Sequence, residues 1–268
     1  MSLQISQLAY YPIKSLGQVV VPEMKVTEWG PHHDRRLMLV DENGKFLTQR
    51  QLPQMALFEV MDNGLSLSLR YQNQSMSIQW PSLDQAELTG ALTVNVWSDE
   101  VQAIEVSEAA SAWLSKLLGR TAKLVAIPDV VHRQVDLEYA EAGDRVGFSD
   151  GFPFLLISEA SIRAMESELD FDLQMKRFRP NIVVSGCEAF AEDAWKQISI
   201  NNVVFDVVKP CSRCVIPTLN PETAERQPEV MRVLVKHRKQ GNAVYMGQNL
   251  IHRGEGELSV GDEVKIIT

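Results

Sequence analysis

Leu37-Met-Leu-Val40, Asp41-Glu-Asn-Gly44 and Lys45-Phe-Leu-Thr48 follow one another without a break, and they read as two short apolar strands around a turn. Asn43-Gly44 is a dipeptide that supplies the positive φ angles of a type I′ hairpin turn, so the stretch predicts a β-hairpin. The same grammar continues outward. Asn63-Gly64 precedes an alternation of Leu65, Leu67 and Leu69, the pattern of a half-buried strand. Leu92 to Ile104 is a further β-rich stretch, and Ser2 to Tyr10 alternates loosely. The first hundred residues therefore read as strands joined by tight turns.

Helices enter later. Ser107 is a suitable N-cap for a helix to Leu118, with Trp113, Leu114, Leu117 and Leu118 on one face and Gly119 to close it. Pro153 to Ile157 reads as a short buried strand, and Ser158 caps a helix carrying Ile162, Met165 and Leu169 on one side. Asn181 to Ser185 and Val203 to Val208 are β-branched runs, hence buried strands. Pro228 opens a helix to about Gln240 that Gly241 ends, and Leu258 to Ile267 is a turn and a final strand. The expected class is mixed and β-rich, α+β. An inter-domain region falls near residues 119 to 130, dividing the chain into 1–120 and 121–268. No Gly/Ser linker marks it, so the halves should pack closely.

Composition narrows the function. The chain has 268 residues, 45% hydrophobic and 23% charged, which suits an ordinary globular protein and not a disordered or collagen-like one. A net charge of -9 argues against sequence-independent nucleic-acid binding, which needs a basic face. No apolar run approaches the roughly 20 residues of a membrane span. The start, Met1 to Ser15, lacks the pattern of a signal peptide. The three cysteines, Cys187, Cys211 and Cys214, are an odd number, so a reducing cytoplasm is the expected location.

The densest chemistry is Lys209-Pro-Cys-Ser-Arg-Cys-Val-Ile-Pro217. Two thiols flank Arg213, and a thiolate beside a cation is a good soft-metal ligand or nucleophile. Two ordinary buried cysteines are the plain alternative. A zinc site lacks a second cysteine pair. A thioredoxin-like pair should open a helix, which Val-Ile-Pro217 blocks. A single-thiolate metal site survives. Phe178-Arg-Pro-Asn181 places a guanidinium fork at a strand start, suited to phosphate or, equally, to solvent. Tyr11-Pro-Ile-Lys-Ser15 and the doublet Arg35-Arg36 add cations that one anion could share if the fold gathers them. Asp150, in a turn ahead of a strand, is a turn residue or a carboxylate available for proton transfer. His32 and His33 read as loop residues, and Asp136 to Asp144 as solvated surface.

These motifs together resemble the MOSC family, the molybdenum cofactor sulfurase C-terminal domain family. The resemblance runs nearly end to end, through Tyr11-Pro-Ile-Lys-Ser15, Asp34-Arg-Arg36, Thr48-Gln-Arg-Gln51, Ser149-Asp-Gly-Phe-Pro153, Ser158-Glu-Ala-Ser161, Phe178 to Gly186, Lys209 to Cys214, Gly247-Gln-Asn249 and Val260-Gly-Asp262. Its amidoxime-reducing branch and the bacterial reductases of N-hydroxylated base analogues are the nearest in pattern. The resemblance implies an N-terminal β-barrel-like domain, then a MOSC β-barrel with flanking helices, and a molybdenum cofactor of the molybdopterin type between them.

Carried over residue by residue, the resemblance makes Cys214 the molybdenum ligand. Lys14, Ser15, Arg36, Arg179, Asn181 and Ser212 hold the pterin and its phosphate, and Gly151 and Phe152 contribute backbone groups. Asn249 falls where mitochondrial relatives carry Tyr. Asp150 is the acidic residue beside the metal, to orient substrate or relay a proton. Cys211 is then a spare, buried thiol and Cys187 a structural one. The implied activity is reduction of small N-hydroxylated compounds. Mitochondrial relatives carry an N-terminal membrane segment and some bacterial ones a C-terminal ferredoxin-like domain, whereas this sequence ends at Thr268 without four cluster cysteines. The expectation is therefore a separate electron-donor protein of flavin reductase, ferredoxin or cytochrome type, with no nucleic acid or membrane partner. A non-catalytic cofactor carrier and a persulfide carrier are the competing expectations.

Overall fold

The structure is a computed structural model and describes residues 2–268. It is β-rich, with helices at Glu108–Leu118, Glu159–Glu166 and Pro228–Arg238. The largest sheet runs Val264–Ile266, Gln197–Ile200, Val203–Ser212, Ala243–Arg253, Phe154–Ser158, Ile182–Ser185, Gln4–Tyr10, Val19–Val21. Neighbours are antiparallel except Phe154–Ser158 and Ile182–Ser185, which are parallel and joined through the second helix. The sheet curls on itself. Ile5 N–H donates to Asp262 O, and Val264 N–H to Leu3 O, so the strand at one end returns to the beginning of the chain.

A second curl forms from Leu37–Val40, Lys123–Ala126, Asp99–Glu105 and Leu92–Val96. Lys45 bridges Asn95 and Phe46 bridges Val40, which closes these four strands into a ring. Leu37–Val40 is buried throughout because both of its faces are covered. Leu37 and Leu39 pack with Ala110, Leu114 and Leu118 of the first helix, while Met38 and Val40 pack inside with Val94, Val101, Val125 and Phe148. Truncating a side chain such as Leu39 to Ala would cost about 2–5 kcal/mol. The chain's strands do not sort into two consecutive sets: Gln4–Tyr10 belongs to the large sheet, and Lys123–Ala126 to the ring. The two curls are thus stitched together by backbone hydrogen bonds.

Most expected elements are present, with local corrections. Asn43 does not adopt positive φ; Gly44 alone does, at 74°. The turn is instead closed by Asp41, whose carboxylate accepts from Asn43 N–H and Lys45 N–H at 2.9 Å each. Leu67 and Leu69 are buried as expected, but Leu65 is 77% exposed, because the strand starts one residue later, at Ser66. Ser107 and Ser158 cap their helices as expected, each hydroxyl accepting a backbone N–H, and Gly119 takes the left-handed C-cap. Leu169 lies beyond its helix, which ends at Glu166. Gly241 does not end a helix. The last helix stops at Arg238, and Gly241 turns a hairpin between Lys239–Gln240 and Ala243–Arg253. Among the described residues no helix is long and apolar enough to cross a membrane.

Candidate active site

A cavity opens where the first fifty residues meet the large sheet. Lys14, Ser15, Arg35, Thr48 and Arg50 line it from the N-terminal side, Cys211, Ser212, Arg213, Cys214 and Asn249 from the sheet, and Ser149–Phe152, Arg179 and Asn181 complete it. The sheet wall is a direct consequence of sequence. The β-branched run at Val203 extends as one strand through Ser212, longer than the run itself predicts. Pro210 lacks an N–H to offer, and the register shifts on both sides of it, between Val207 and Lys209 and between Pro210 and Ser212. Asn249 pairs with Lys209 across the sheet and donates its amide to Lys209 O at 3.2 Å.

Past the strand, Arg213 pins the chain. Its guanidinium donates to Met246 O at 2.8 and 2.6 Å and to Phe178 O at 3.0 Å. Cys214 leaves this pinned turn exposed and facing the cavity. Cys211 is only half-buried and lines the same cavity, so it is not the walled-off thiol expected; burial still pushes its thiol pKa up. Among the described residues no three His, Cys, Asp or Glu side chains cluster as a metal cage.

The opposite wall is built from loops. Ser15 and Arg35 both adopt left-handed backbone, with φ of 67° and 46°. Arg35 is held by Tyr11 O, which accepts from its N–H, and by Phe148 N–H, which donates to its carbonyl. That carbonyl lies so close to Gly147 that a Cβ there would sit 2.7 Å from it. The Arg35 side chain donates to Asp34 at 2.6 Å, to Asn181 Oδ1 at 3.1 Å and to Arg179 O at 3.2 Å. Arg35 and Arg179 both lie against the ring of buried Tyr11, at 4.2 and 4.1 Å. Arg179 Nη1 donates to Leu16 O at 2.7 Å, but its Nη2 is buried without a partner. Burial and the like charge of Arg35 pull the Arg179 pKa down to about 10, still fully cationic at neutral pH.

Lys14 and Asp150 meet inside the cavity. Lys14 Nζ donates to Phe148 O at 2.7 Å and to Asp150 Oδ1 at 2.5 Å. Burial pulls the Lys14 ammonium down and Asp150 opposes it. The Asp150 side chain keeps 67% of its area, since it stands free in the hollow. Its crowded surroundings would raise its pKa, yet the Lys14 charge and hydrogen bond, the Trp97 indole and Arg50 together hold it well below the usual carboxylate range. Arg133, which sequence reasoning passed over, fixes this loop by donating to Gly147 O and Ser149 O at 2.7 Å each.

The structure thus gathers Lys14, Ser15, Asp150, Gly151, Phe152, Arg179, Asn181, Ser212, Cys214 and Asn249 around one cavity. It does not bring Arg36 there. Arg36 is buried elsewhere, donating to Ile127 O and Asp129 at 2.6 Å each and lying over Trp29. Its neighbour Arg35 takes the place in the cavity, because the left-handed turn at Arg35 sends consecutive side chains to different sides. Asn181 lines the cavity but its amide is committed: Nδ2 donates to Ala9 O and Asp34, and Oδ1 accepts from Leu155 N–H and Arg35. It positions Arg35 and Asp34. His33 stacks on Trp80 and hydrogen-bonds Asp62, away from the cavity. Thr48 and Arg50 stand in a motif that assigns them no role, and Gly147 carries no sequence signal beyond being a glycine.

A buried, unpaired guanidinium nitrogen calls for an acceptor, and this one belongs to a cavity that also exposes a thiol. A ligand with an anionic group and a sulfur-seeking metal fits that donor set. The MOSC N-terminal beta barrel domain matches residues 2–121, and the MOSC domain matches residues 143–265. The chain is 30% identical to human mitochondrial amidoxime-reducing component 1, over 98% of this chain and 82% of that protein.

This chain belongs to the MOSC family.

The zebrafish amidoxime-reducing component 1 is 32% identical, over 98% of this chain and 85% of that one. Molybdenum cofactor sulfurase of Drosophila ananassae is 26% identical over 98% of this MOSC protein, which spans 34% of the sulfurase.

Proposed function

We propose that this MOSC protein is a molybdenum-cofactor-dependent reductase of N-hydroxylated compounds. Hydroxylamines, amidoximes or N-hydroxylated bases take up two electrons and two protons, lose their oxygen as water and leave as amines or amidines. The electrons come from a separate donor protein, and the free thiols suit a reducing cytoplasm. The observation that carries the reading is that Arg179, whose Nη2 is buried without a partner, lines the same cavity as the exposed Cys214 thiol.

When bound, the cofactor supplies the two-electron redox centre for oxygen removal. The chain supplies the rest. Arg179 and Arg35 offer charge-assisted hydrogen bonds to the pterin phosphate, with Lys14, Ser15 and Ser212 beside them. The Cys214 thiolate is the protein ligand for the metal. Gly151 and Phe152 border the cavity with backbone groups, and a Cβ at Gly151 would meet nothing within 4 Å, so the space above it is free for a ligand. Asp150 stays anionic at neutral pH, which suits it to accept a hydrogen bond from the substrate N–OH and orient it, and not to donate a proton.

The test is molybdenum and pterin content of native protein and Cys214→Ala, expressed in a host that makes the cofactor, with benzamidoxime reduction by an artificial donor. Near-stoichiometric metal, lost in the variant together with turnover, is the expected result. Neither metal nor pterin in folded native protein sinks the reading. Metal without turnover favours a cofactor carrier. A sulfur-carrying module is the second reading, supported by the sulfurase relatives. It requires a persulfide on a cavity cysteine, visible by mass spectrometry. The coverage favours reduction, because the amidoxime-reducing relatives are matched over most of their length.

A further inference from the structure

A second hollow adjoins the cavity. Lys45, Phe46, Arg50, Gln51, Asn95 and Trp97 line it, and it meets the cavity at Thr48 and Arg50. Two cations and two aromatic rings line this hollow and no carboxylate does, in a chain whose net charge is -9. Lys45 and Phe46 are the residues that close the N-terminal ring of strands, bridged to Asn95 and Val40. Trp97 sits on the turn between two strands of that ring with φ of 58°, a conformation unfavourable for a bulky side chain, and stays 48% exposed. The two-residue turn Trp97-Ser98 between the paired Val96 and Asp99 sets that φ, and it leaves the indole open at the cavity mouth.

Trp97 connects the hollow with the cavity. Its indole N–H donates to Asp150 Oδ1 at 3.2 Å, and the Arg50 guanidinium lies over its ring at 4.4 Å. Among the described residues no ion pair engages that guanidinium. Asp150, the carboxylate on the cavity side of Trp97, is neutralised by Lys14.

We propose that this hollow takes the anionic tail of the substrate, so that the preferred substrates are planar N-hydroxylated compounds bearing a carboxylate or phosphate. The tail reaches Arg50 and Lys45 while the N-hydroxyl end lies beside Asp150. This inference rests on the reductase reading of the cavity. The fork of Arg50 suits either anion, and the exposed Trp97 indole suits a planar ring. One indole touches both Arg50 and Asp150, so a small molecule can span the two.

The test is binding to purified protein by isothermal titration, which needs no turnover. Two pairs serve: benzamidoxime with 4-carboxybenzamidoxime, and N6-hydroxyadenosine with its 5′-monophosphate. Native protein should bind the anionic member of at least one pair about tenfold more tightly, the return expected from one half-buried charge-assisted hydrogen bond. The pair that shows it tells whether carboxylate or phosphate is the source. Arg50→Gln should bring the ratio close to one, and Lys45→Gln, at an exposed position, should reduce it by roughly two- to threefold. Equal affinities in native protein, no binding of any compound, or a preference that survives Arg50→Gln overturns the inference. Turnover measured in parallel separates the two readings. Reduction without charge preference sinks only this one, and an Arg50-dependent preference without reduction sinks the reductase reading and leaves the hollow as an anion-binding site with no substrate role.

Discussion

The two walls of the cavity are made in opposite ways. The sheet wall is built on the strand Val203–Ser212 and its neighbour Ala243–Arg253, which supplies Asn249, and the pair's ladder ends at Ser212, just before Cys214. The N-terminal wall is a set of loops whose residues adopt left-handed backbone at Ser15 and Arg35. A strand positions side chains by its pleat. Those loops position theirs by buried polar contacts, with Tyr11, Asp34, Asn181 and Arg35 bound into one network. Cations on the loop wall therefore differ in purpose even when adjacent: some complete the network, and some are left with a donor to spare.

The largest expected effect separates those two purposes. Arg179→Gln removes the unpartnered donor, so pterin content should fall on the order of a hundredfold, while the lost bond to Leu16 O and packing on Tyr11, offset in part by relief of the like charge of Arg35, should cost about 1 kcal/mol of stability. Arg36→Met strands Asp129 and the Ile127 carbonyl instead. It should cost about 1–2 kcal/mol of stability, since Asp129 keeps 37% of its side chain exposed, while the pterin that the folded fraction retains stays near native. Cofactor assay beside urea unfolding reads both. Loss of pterin in folded Arg36→Met would return that residue to the cavity.

The contrast also explains what could be read from sequence. The strand wall was legible because β-branched runs, capping serines and the Pro228 helix start are local signals that tertiary packing did not overrule. Even there the strand outran its apolar run, since Cys211 and Ser212 join it through ladder pairing and not through propensity. The loop wall was legible only as composition. Choosing between Arg35 and Arg36 needs the φ of one residue, and that turn is set by contacts with Tyr11, Phe148 and Gly147, distant in sequence. Asn181 carries the same lesson. Its type suits a ligand contact, yet its four hydrogen bonds are all spent on backbone and neighbours that only the fold brings near.

A smaller effect probes the charge balance across the walls. The Asp150 carboxyl is held below its ordinary value of 3.8, so its pairing with Lys14 adds stability above about pH 4 that is lost as pH falls below it. Asp150→Asn should lower stability by about 1 kcal/mol near neutrality, a figure reduced for solvent screening of an exposed side chain. The difference should begin to narrow below about pH 4 and keep narrowing as pH falls through the depressed folded-state value, which denaturant unfolding of both proteins follows. A difference that stays constant with pH would mean that the carboxylate's charge does nothing for the fold.

The smallest effect is at Ser15, where backbone and side chain can be set against each other. A left-handed L-residue costs roughly 1–2 kcal/mol, and glycine escapes that cost while losing roughly 0.5–1 kcal/mol to the entropy of the unfolded chain. Ser15→Gly should therefore raise stability by about 0.5 kcal/mol. The carbonyl of residue 15, which accepts from the Gln49 amide at 2.9 Å, remains in place. Only the hydroxyl that lines the cavity is removed. If that hydroxyl serves the phosphate, pterin retention drops severalfold as stability rises, and the two readouts move in opposite directions. A drop in stability with pterin unchanged would show the reverse: the loop wall would be sustained by its side chain packing, and the left-handed turn would carry no strain that the ligand site requires.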